Sequence, residues 1–99
     1  MNMILTEGKI RMDDYAHMVT VDGKEVKLTL KEYDLLRLMM THPGKALSRT
    51  ELLTTVWGGF VGETRTVDVH IGTLRAKLGS EAARIKTVRG IGYRLENVT

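Results

Sequence analysis

The residues best suited to do chemistry are the cationic side chains in the last third of the chain. Residues 64–99 hold seven Lys and Arg against three Asp and Glu, whereas residues 1–44 hold six against seven and residues 45–63 two against two. The basic residues are Arg65, Arg75, Lys77, Arg84, Lys86, Arg89 and Arg94. Such a concentration can neutralise the phosphates of an anionic polymer; a solvated basic face is the alternative reading of the same residues.

No other group of residues has the spacing of a catalytic or cofactor site. The chain has no cysteine, which excludes thiolate metal sites, and His70 has no second histidine four residues further on. The glycine-containing residues 58–62 lack the lysine and hydroxyl pair of a phosphate-cradling loop, and neither Ser48 nor Ser80 lies in a Gly-x-Ser-x-Gly context. We therefore expect a protein that is not an enzyme and uses neither a cofactor nor a metal.

Length and composition fit one small globular domain spanning residues 1–99. Hydrophobic residues make up 42% of the chain and charged residues 27%, and the formal net charge is +3. No apolar run approaches the ~18 residues of a membrane helix, and the apolar N-terminus is too short for a signal peptide. We expect a cytoplasmic protein with no membrane partner.

The first 28 residues have the pattern of short strands. Apolar and polar residues alternate in runs interrupted by Gly8 and by the pair Asp13 and Asp14. Asp22-Gly23, between residues 19–21 and 25–28, is typical of a type I′ hairpin turn. The pattern predicts a small antiparallel sheet of four strands.

Two helices follow, and each begins with a capping box. The boxes are residues 29–32 and 48–51, where a hydroxyl residue precedes a glutamate by three positions. The first helix is predicted to run to about Thr41 and the second to Trp57, with residues 45–47 as a linker. The core side chains predicted for the two helices are Tyr33, Leu36, Met39, Met40, Leu52, Leu53 and Val56.

A third helix is predicted from a cap at Thr64 to Leu78, with Gly79 ending it. Its apolar stripe consists of Val67, Ile71, Leu74 and Leu78. At about 100° per residue, the side chains pointing away from the core are Arg65, Val69, Gly72, Thr73 and Ala76. Asp68 and Arg75 lie on one flank of that face, and His70 and Lys77 on the other.

The chain closes with a predicted β-hairpin over residues 84–96 that turns at residues 90–92 and carries cations on one face. A helix with a compact outward face suits the major groove of B-DNA, and Arg89 at the hairpin tip can enter a narrow minor groove. Cations predicted to neutralise phosphates are Arg75, Lys77, Arg84 and Lys86.

Several runs of residues are long enough to compare with a known family. They are RTVDVHI (65–71), LRAKL (74–78), TVRGIGYR (87–94), LTLKEYDLL (28–36) and SRTELL (48–53), the last followed by Trp57 and Gly58. The first three resemble the recognition helix and wing of the OmpR/PhoB-type winged-helix family, and the other two resemble its first and second helices. The resemblance covers nearly the whole chain. It implies an α+β winged helix-turn-helix with an N-terminal four-stranded antiparallel sheet, three helices and a C-terminal hairpin wing.

The resemblance implies double-stranded DNA as a partner and assigns roles to individual side chains. Candidates for contacts with base edges are Arg65, Val69 and Thr73. Candidates for the DNA backbone or minor groove are Trp57, His70, Arg75, Thr87, Arg89, Gly90 and Tyr93, to which the helix geometry adds Lys77. Trp57 has a core position at the end of the second helix as its alternative role. Gly72-Thr73 departs from the family pattern, where many relatives have basic side chains, which predicts weaker binding or a different base there.

The resemblance also implies further partners. It implies a transcription factor of a two-component phosphorelay, in which a sensor histidine kinase acts on a receiver domain that precedes this one and is absent from the sequence. The loop through which some family members contact RNA polymerase corresponds to Gly59, Phe60, Val61, Gly62 and Glu63. Members pair head-to-tail on direct DNA repeats, spaced about one helical turn apart.

A second function is compatible with the same fold. A winged helix can serve as a protein-interaction module without specific DNA readout, because a fold does not dictate function. DNA affinity that falls steeply with salt distinguishes the two functions.

Overall fold

The computed structural model describes residues 3–58 and 63–96, and its N-terminal part is a four-stranded antiparallel sheet. The strands are β1 (Ile4–Glu7), β2 (Ile10–Asp13), β3 (Met18–Val21) and β4 (Lys24–Val26), which are neighbours in sequence order. Asp22 and Gly23 have φ angles of 52° and 82°, as a type I′ turn requires, so the predicted hairpin is confirmed. Strand alternation buries Ile10, Met12 and Val19 in the core.

Both predicted capping boxes are formed. In α1 (Leu30–Met40), the Glu32 amide donates to the Thr29 hydroxyl at 3.2 Å, and the Thr29 amide donates to the Glu32 carboxylate at 2.8 Å. Helix α2 (Arg49–Trp57) begins in the same way, with Ser48 and Glu51 exchanging bonds of 3.0 and 2.9 Å. Reciprocal bonds satisfy two of the free amides at each helix start, which is why the local sequence fixes both boundaries.

Helix α3 (Arg65–Leu78) has the predicted length, but it begins without the predicted side-chain cap. Thr64 already has helical backbone angles, and its side chain accepts no capping bond. Backbone carbonyls serve the first turn instead, because Glu63 accepts from the Thr66 amide at 3.1 Å and Thr64 from the Val67 amide at 2.9 Å. Gly79 ends the helix at a φ of 56°, and a 3₁₀ segment (Gly79–Arg84) that the sequence did not predict leads to the hairpin.

The C-terminal hairpin belongs to a three-stranded sheet. Its strands β6 (Ile85–Val88) and β7 (Gly92–Leu95) are joined by β5 (Leu47–Ser48), in the order β5-β7-β6. Leu47 pairs with Tyr93 within a segment that was predicted as a linker. Gly92 lies in β7 rather than in the turn, and a Cβ there would overlap the Leu47 carbonyl. The packing of β5 against β7 therefore requires glycine at this position.

The hydrophobic core lies between the three helices and the inner faces of the two sheets. The stripe of α3 contributes Val67, Ile71, Leu74 and Leu78, all of them at most 1% exposed. The predicted core residues of α1 and α2 are also buried. In residues 3–58 and 63–96, no helix is both long and apolar enough to cross a membrane.

Candidate nucleic-acid interface

The face of α3 opposite the core is exposed along the helix. The outward residues Arg65, Val69, Gly72, Thr73 and Ala76 are all exposed, as the helix arithmetic predicted. Val69 is 57% exposed although its side chain is branched and apolar. Such a side chain gains by contact with another apolar group, and the methyl group of thymine presents one in the major groove. The exposure is confirmed, and the contacts with bases remain a prediction.

One flank of this face is bonded to the hairpin. Asp68 accepts from the Tyr93 hydroxyl at 2.6 Å and from the Arg49 guanidinium at 2.8 Å. The Arg75 guanidinium donates to the Ile85 carbonyl at 2.7 Å and to the Thr87 hydroxyl at 3.0 Å. Helix α3 is thus held to β7 by one set of bonds and to β6 by another.

These bonds keep Asp68 ionised. Burial opposes its charge, but the hydrogen bonds from Tyr93 and Arg49 outweigh burial and lower the pKa of Asp68. Burial raises the pKa of Tyr93, and the bond to Asp68 raises it further. An ionised acceptor facing a protonated phenol makes a charge-assisted hydrogen bond, which is stronger than one between neutral groups.

Nothing in the sequence pointed to Arg49 as a residue of this site. It lies in the capping-box segment of α2, and its partner Asp68 is 19 residues away in α3. No local period connects the two positions. Only the packing of α2 against α3 brings their side chains together.

The other flank of α3 carries His70 next to Trp57. The His70 Nδ1 lies 2.8 Å from the Thr66 carbonyl, which can only accept, so Nδ1 carries the hydrogen. The edge of the His70 ring meets the Trp57 ring with centroids 4.9 Å apart. Trp57 is half-buried and packed against the core, so its core position is confirmed. Its contact with DNA stays a prediction.

Lys77, on the same flank, is bound to a buried carboxylate. Its ammonium lies 2.7 Å from Glu32, whose side chain is 3% exposed whereas that of Lys77 is 38% exposed. Burial opposes ionisation of Glu32, but bonds from Lys77, Thr73 and the Thr29 amide lower its pKa to about 2. The charge of Lys77 is therefore largely compensated inside the protein. The same holds for Arg84, whose guanidinium lies 2.7 Å from the Glu81 carboxylate.

The hairpin tip presents an exposed cation. Arg89 and Gly90 lie in the turn and are exposed, with Gly90 at a φ of 77°. Behind the tip, Lys86 is opposite Arg94 and Thr87 is opposite Tyr93, so cations line one face and the Asp68 network the other. Ile91 lies in the turn, as predicted, and is 52% exposed at this tip.

Comparison with known proteins identifies the family. Residues 23–95 match the family described as "Transcriptional regulatory protein, C terminal". The chain belongs to this OmpR/PhoB-type family. It is 44% identical over 97 residues to the sensory transduction protein RegX3 of Mycobacterium tuberculosis, covering 94% of this chain and 43% of that protein. It is 48% identical over 89 residues to the phosphate regulon transcriptional regulatory protein PhoB of Pseudomonas aeruginosa, covering 88% and 39%.

The solved structures that are similar to this OmpR/PhoB-type domain include a complex. The crystal structure of the Klebsiella pneumoniae RstA DNA-binding domain with the RstA box superposes with a TM-score of 0.85 at 35% identity, covering 94% of this chain and 96% of that one. The predicted winged-helix fold is confirmed. The family consists of DNA-binding regulators of transcription, so the chain is not an enzyme.

The chain spans less than half the length of the RegX3 and PhoB relatives. Of the loop predicted to contact polymerase, residues 59–62 lie outside the described residues. Glu63, the last residue of that loop, is exposed directly before α3. Its carbonyl accepts the first backbone bond of the helix, so the end of the loop is joined to the start of α3.

Proposed function

We propose that this OmpR/PhoB-type domain, residues 1–99, binds double-stranded DNA sequence-specifically. Helix α3 enters the major groove, where Arg65, Val69 and Thr73 meet base edges. The observation that carries the proposal is that these three side chains share the exposed face of α3 opposite its buried stripe. The chemistry of each side chain fits a groove contact. Guanidinium groups bind guanine, branched apolar groups contact the methyl of thymine, and hydroxyls can donate or accept a hydrogen bond at a base edge.

The hairpin of β6 and β7 is proposed to reach the adjacent minor groove. Arg89 and Gly90 stand at its exposed tip, where the negative potential of a narrow groove attracts a guanidinium group. The remaining backbone contacts are proposed at Trp57, His70, Arg75, Lys77 and Thr87. Among these, we expect the smallest direct phosphate contribution from Lys77, because Glu32 already compensates its charge.

We further propose that the domain is the effector part of a phosphorylation-controlled response regulator. The relatives RegX3 and PhoB support this by name, and each is more than twice as long as the region matched. In such a protein a sensor histidine kinase acts on the receiver domain, two effector domains bind head-to-tail on direct repeats, and the loop of residues 59–63 contacts RNA polymerase.

The test is a selection of bound duplexes from a random library at about 0.15 M salt. It is run with the wild-type chain, with Arg65→Ala and with Arg89→Ala. Lys24→Ala is the matched control, because it removes the same charge from an exposed position at the start of β4, on the N-terminal sheet. We expect tandem half-sites with the wild type and the control, a relaxed major-groove position with Arg65→Ala, and weakened minor-groove preference with Arg89→Ala.

Salt dependence completes the test. Each phosphate contact contributes about −0.9 to the slope of log affinity against log salt concentration, so removing Arg89 should flatten the slope by about one contact. If no sequence is enriched and neither arginine variant changes the slope, DNA readout is excluded. The protein-interaction module then becomes the function to pursue.

A further inference from the structure

Tyr93 of β7 is the point at which the wing, α2 and α3 meet. Its side chain is 5% exposed, and its hydroxyl donates to Asp68 of α3 at 2.6 Å. The guanidinium carbons of Arg49 and Arg75 lie 5.9 and 5.5 Å from the centre of its ring. Cations at this distance from an aromatic ring are attracted to it.

The hydrogen bond to Asp68 uses the only proton of the Tyr93 hydroxyl. Asp68 is ionised and therefore only accepts, so the phenol must be the donor. A phosphate oxygen also only accepts. Tyr93 can therefore donate to a DNA phosphate only by giving up a short, charge-assisted bond inside the protein.

We propose that Tyr93 is a positioning residue, which fixes the wing relative to the recognition helix through Asp68, rather than a direct DNA contact. The predicted effect on DNA affinity rests on the proposed function, because it requires that the domain binds DNA. A second link reinforces the first, because Arg75 of α3 donates to the Ile85 carbonyl on β6 at 2.7 Å. Links to two different strands fix the orientation of the hairpin as well as its distance from α3.

The orientation determines whether both grooves are reached at once. Arg89 at the hairpin tip and Arg65 on α3 belong to different elements, and their separation depends on the angle between hairpin and helix. A wing released from Asp68 must be ordered again when DNA binds, which lowers affinity. A hydrogen bond to a charged group contributes about tenfold or more in an equilibrium constant, so we expect about a tenfold loss of affinity.

The test is a double-mutant cycle between Tyr93→Phe and Arg89→Ala. Tyr93→Phe keeps the ring and removes the hydroxyl, and Tyr15→Phe is the matched control because Tyr15 is 76% exposed in the turn between β2 and β3. The probe is the duplex that the wild-type chain selects from the random library. Tyr93→Phe should weaken binding about tenfold in the wild-type background and less than about twofold when Arg89 is already absent, because no minor-groove contact is then left to align.

A direct contact gives the opposite pattern. If the Tyr93 hydroxyl binds a phosphate, Tyr93→Phe weakens binding by the same factor in the wild-type and the Arg89→Ala backgrounds. If the hydroxyl serves stability alone, Tyr93→Phe lowers the melting temperature and leaves affinity below that temperature unchanged. Either result overturns the proposal.

Asp68→Asn provides a second variant that retains an oxygen acceptor. It raises the net positive charge by one, which by itself strengthens attraction to DNA. Weaker binding despite that added charge supports the positioning role, whereas tighter binding contradicts it.

A measurement without DNA separates this inference from the proposed function. Nuclear Overhauser contacts between Tyr93 and α3, and residual dipolar couplings of β6 and β7, report the wing orientation in the free chain. We expect Tyr93→Phe to reorient or broaden the wing signals and Tyr15→Phe to leave them unchanged. If the wild-type chain selects no duplex, the proposed function fails alone; if the wing of Tyr93→Phe keeps the wild-type couplings, the positioning role fails alone.

Discussion

The buried carboxylate of Glu32 should make the stability of this domain depend on acid pH. Its pKa is lowered from 4.5 to about 2, although burial alone would raise it. The Lys77 ammonium at 2.7 Å and the Thr29 amide at 2.8 Å bond to the carboxylate, and the nearby Thr73 hydroxyl also favours its charge. The ionised carboxylate joins the start of α1 to the last turn of α3.

The shift gives both the sign and the size of the effect. Because the folded pKa lies below the unfolded value, the carboxylate stabilises the fold above about pH 4.5, and this contribution is lost as pH falls toward 2. One pKa unit corresponds to about 1.4 kcal/mol, so the contribution is about 3 kcal/mol near pH 6. About 2 kcal/mol of it should be lost by about pH 3.

The perturbation that isolates this contribution is Glu32→Gln. Glutamine keeps an oxygen that can accept the Thr29 amide bond, so the capping box survives while the titrating charge is removed. The free energy of unfolding is measured by urea denaturation, followed by far-ultraviolet circular dichroism, at about pH 6, 4.5 and 3. We expect the variant to be less stable than the wild type near pH 6, and the gap to shrink by about 2 kcal/mol at the lowest pH.

Glu51→Gln is the control, because Glu51 occupies the same capping-box position in α2 but is exposed. The bond from the Ser48 amide lowers the pKa of Glu51, yet no lysine pairs with it in the described contacts. The difference in the free energy of unfolding between Glu51→Gln and the wild type should therefore change much less with pH. If the gap for Glu32→Gln stayed constant from pH 6 to pH 3, the assigned role of the Glu32–Lys77 pair would be refuted.

Three shorter predictions follow from the same structure. Gly92→Ala should destabilise the domain by more than about 2 kcal/mol in thermal unfolding, because its Cβ overlaps the Leu47 carbonyl; wild-type stability would mean that β5 and β7 separate easily. Gly72→Ala should raise the free energy of unfolding by about 1 kcal/mol, because nothing lies within 4 Å of its Cβ; a simultaneous loss of DNA affinity would place DNA backbone against this glycine. Lys77→Ala should lower stability while leaving the salt slope of DNA binding close to wild type, and a slope flattened by about 0.9 would identify Lys77 as a phosphate contact instead.

Local features of the sequence were sufficient for most element boundaries. The capping boxes at residues 29–32 and 48–51 and the Asp22-Gly23 turn act within four residues, so their geometry follows from their own side chains and backbone. The outward face of α3 was predictable for a related reason. Once Val67 and Ile71 are assigned to the core, the rotation of about 100° per residue fixes the direction of every other side chain around the helix.

The start of α3 shows where local reasoning fails. Thr64 has the residue type of a cap, yet its backbone is helical and its hydroxyl does not cap. The backbone carbonyls of residues 63 and 64 serve the first turn instead. Capping propensity says which residue types suit an N-cap. The conformation of the preceding chain decides whether the residue before the helix has N-cap geometry at all.

The sequence by itself determined the N-terminal strands, the three helices, the hairpin and the family. Each of these depends on residues within a few positions or on whole motifs in order. Tertiary structure alone decided the pairing of Leu47 with Tyr93, the bond of Lys77 to Glu32 and the meeting of Arg49, Asp68 and Tyr93. These partners are 19 to 46 residues apart in the chain. Their contacts exist only after the core has fixed the angles between helices and sheets, and no periodic pattern in the sequence encodes those angles.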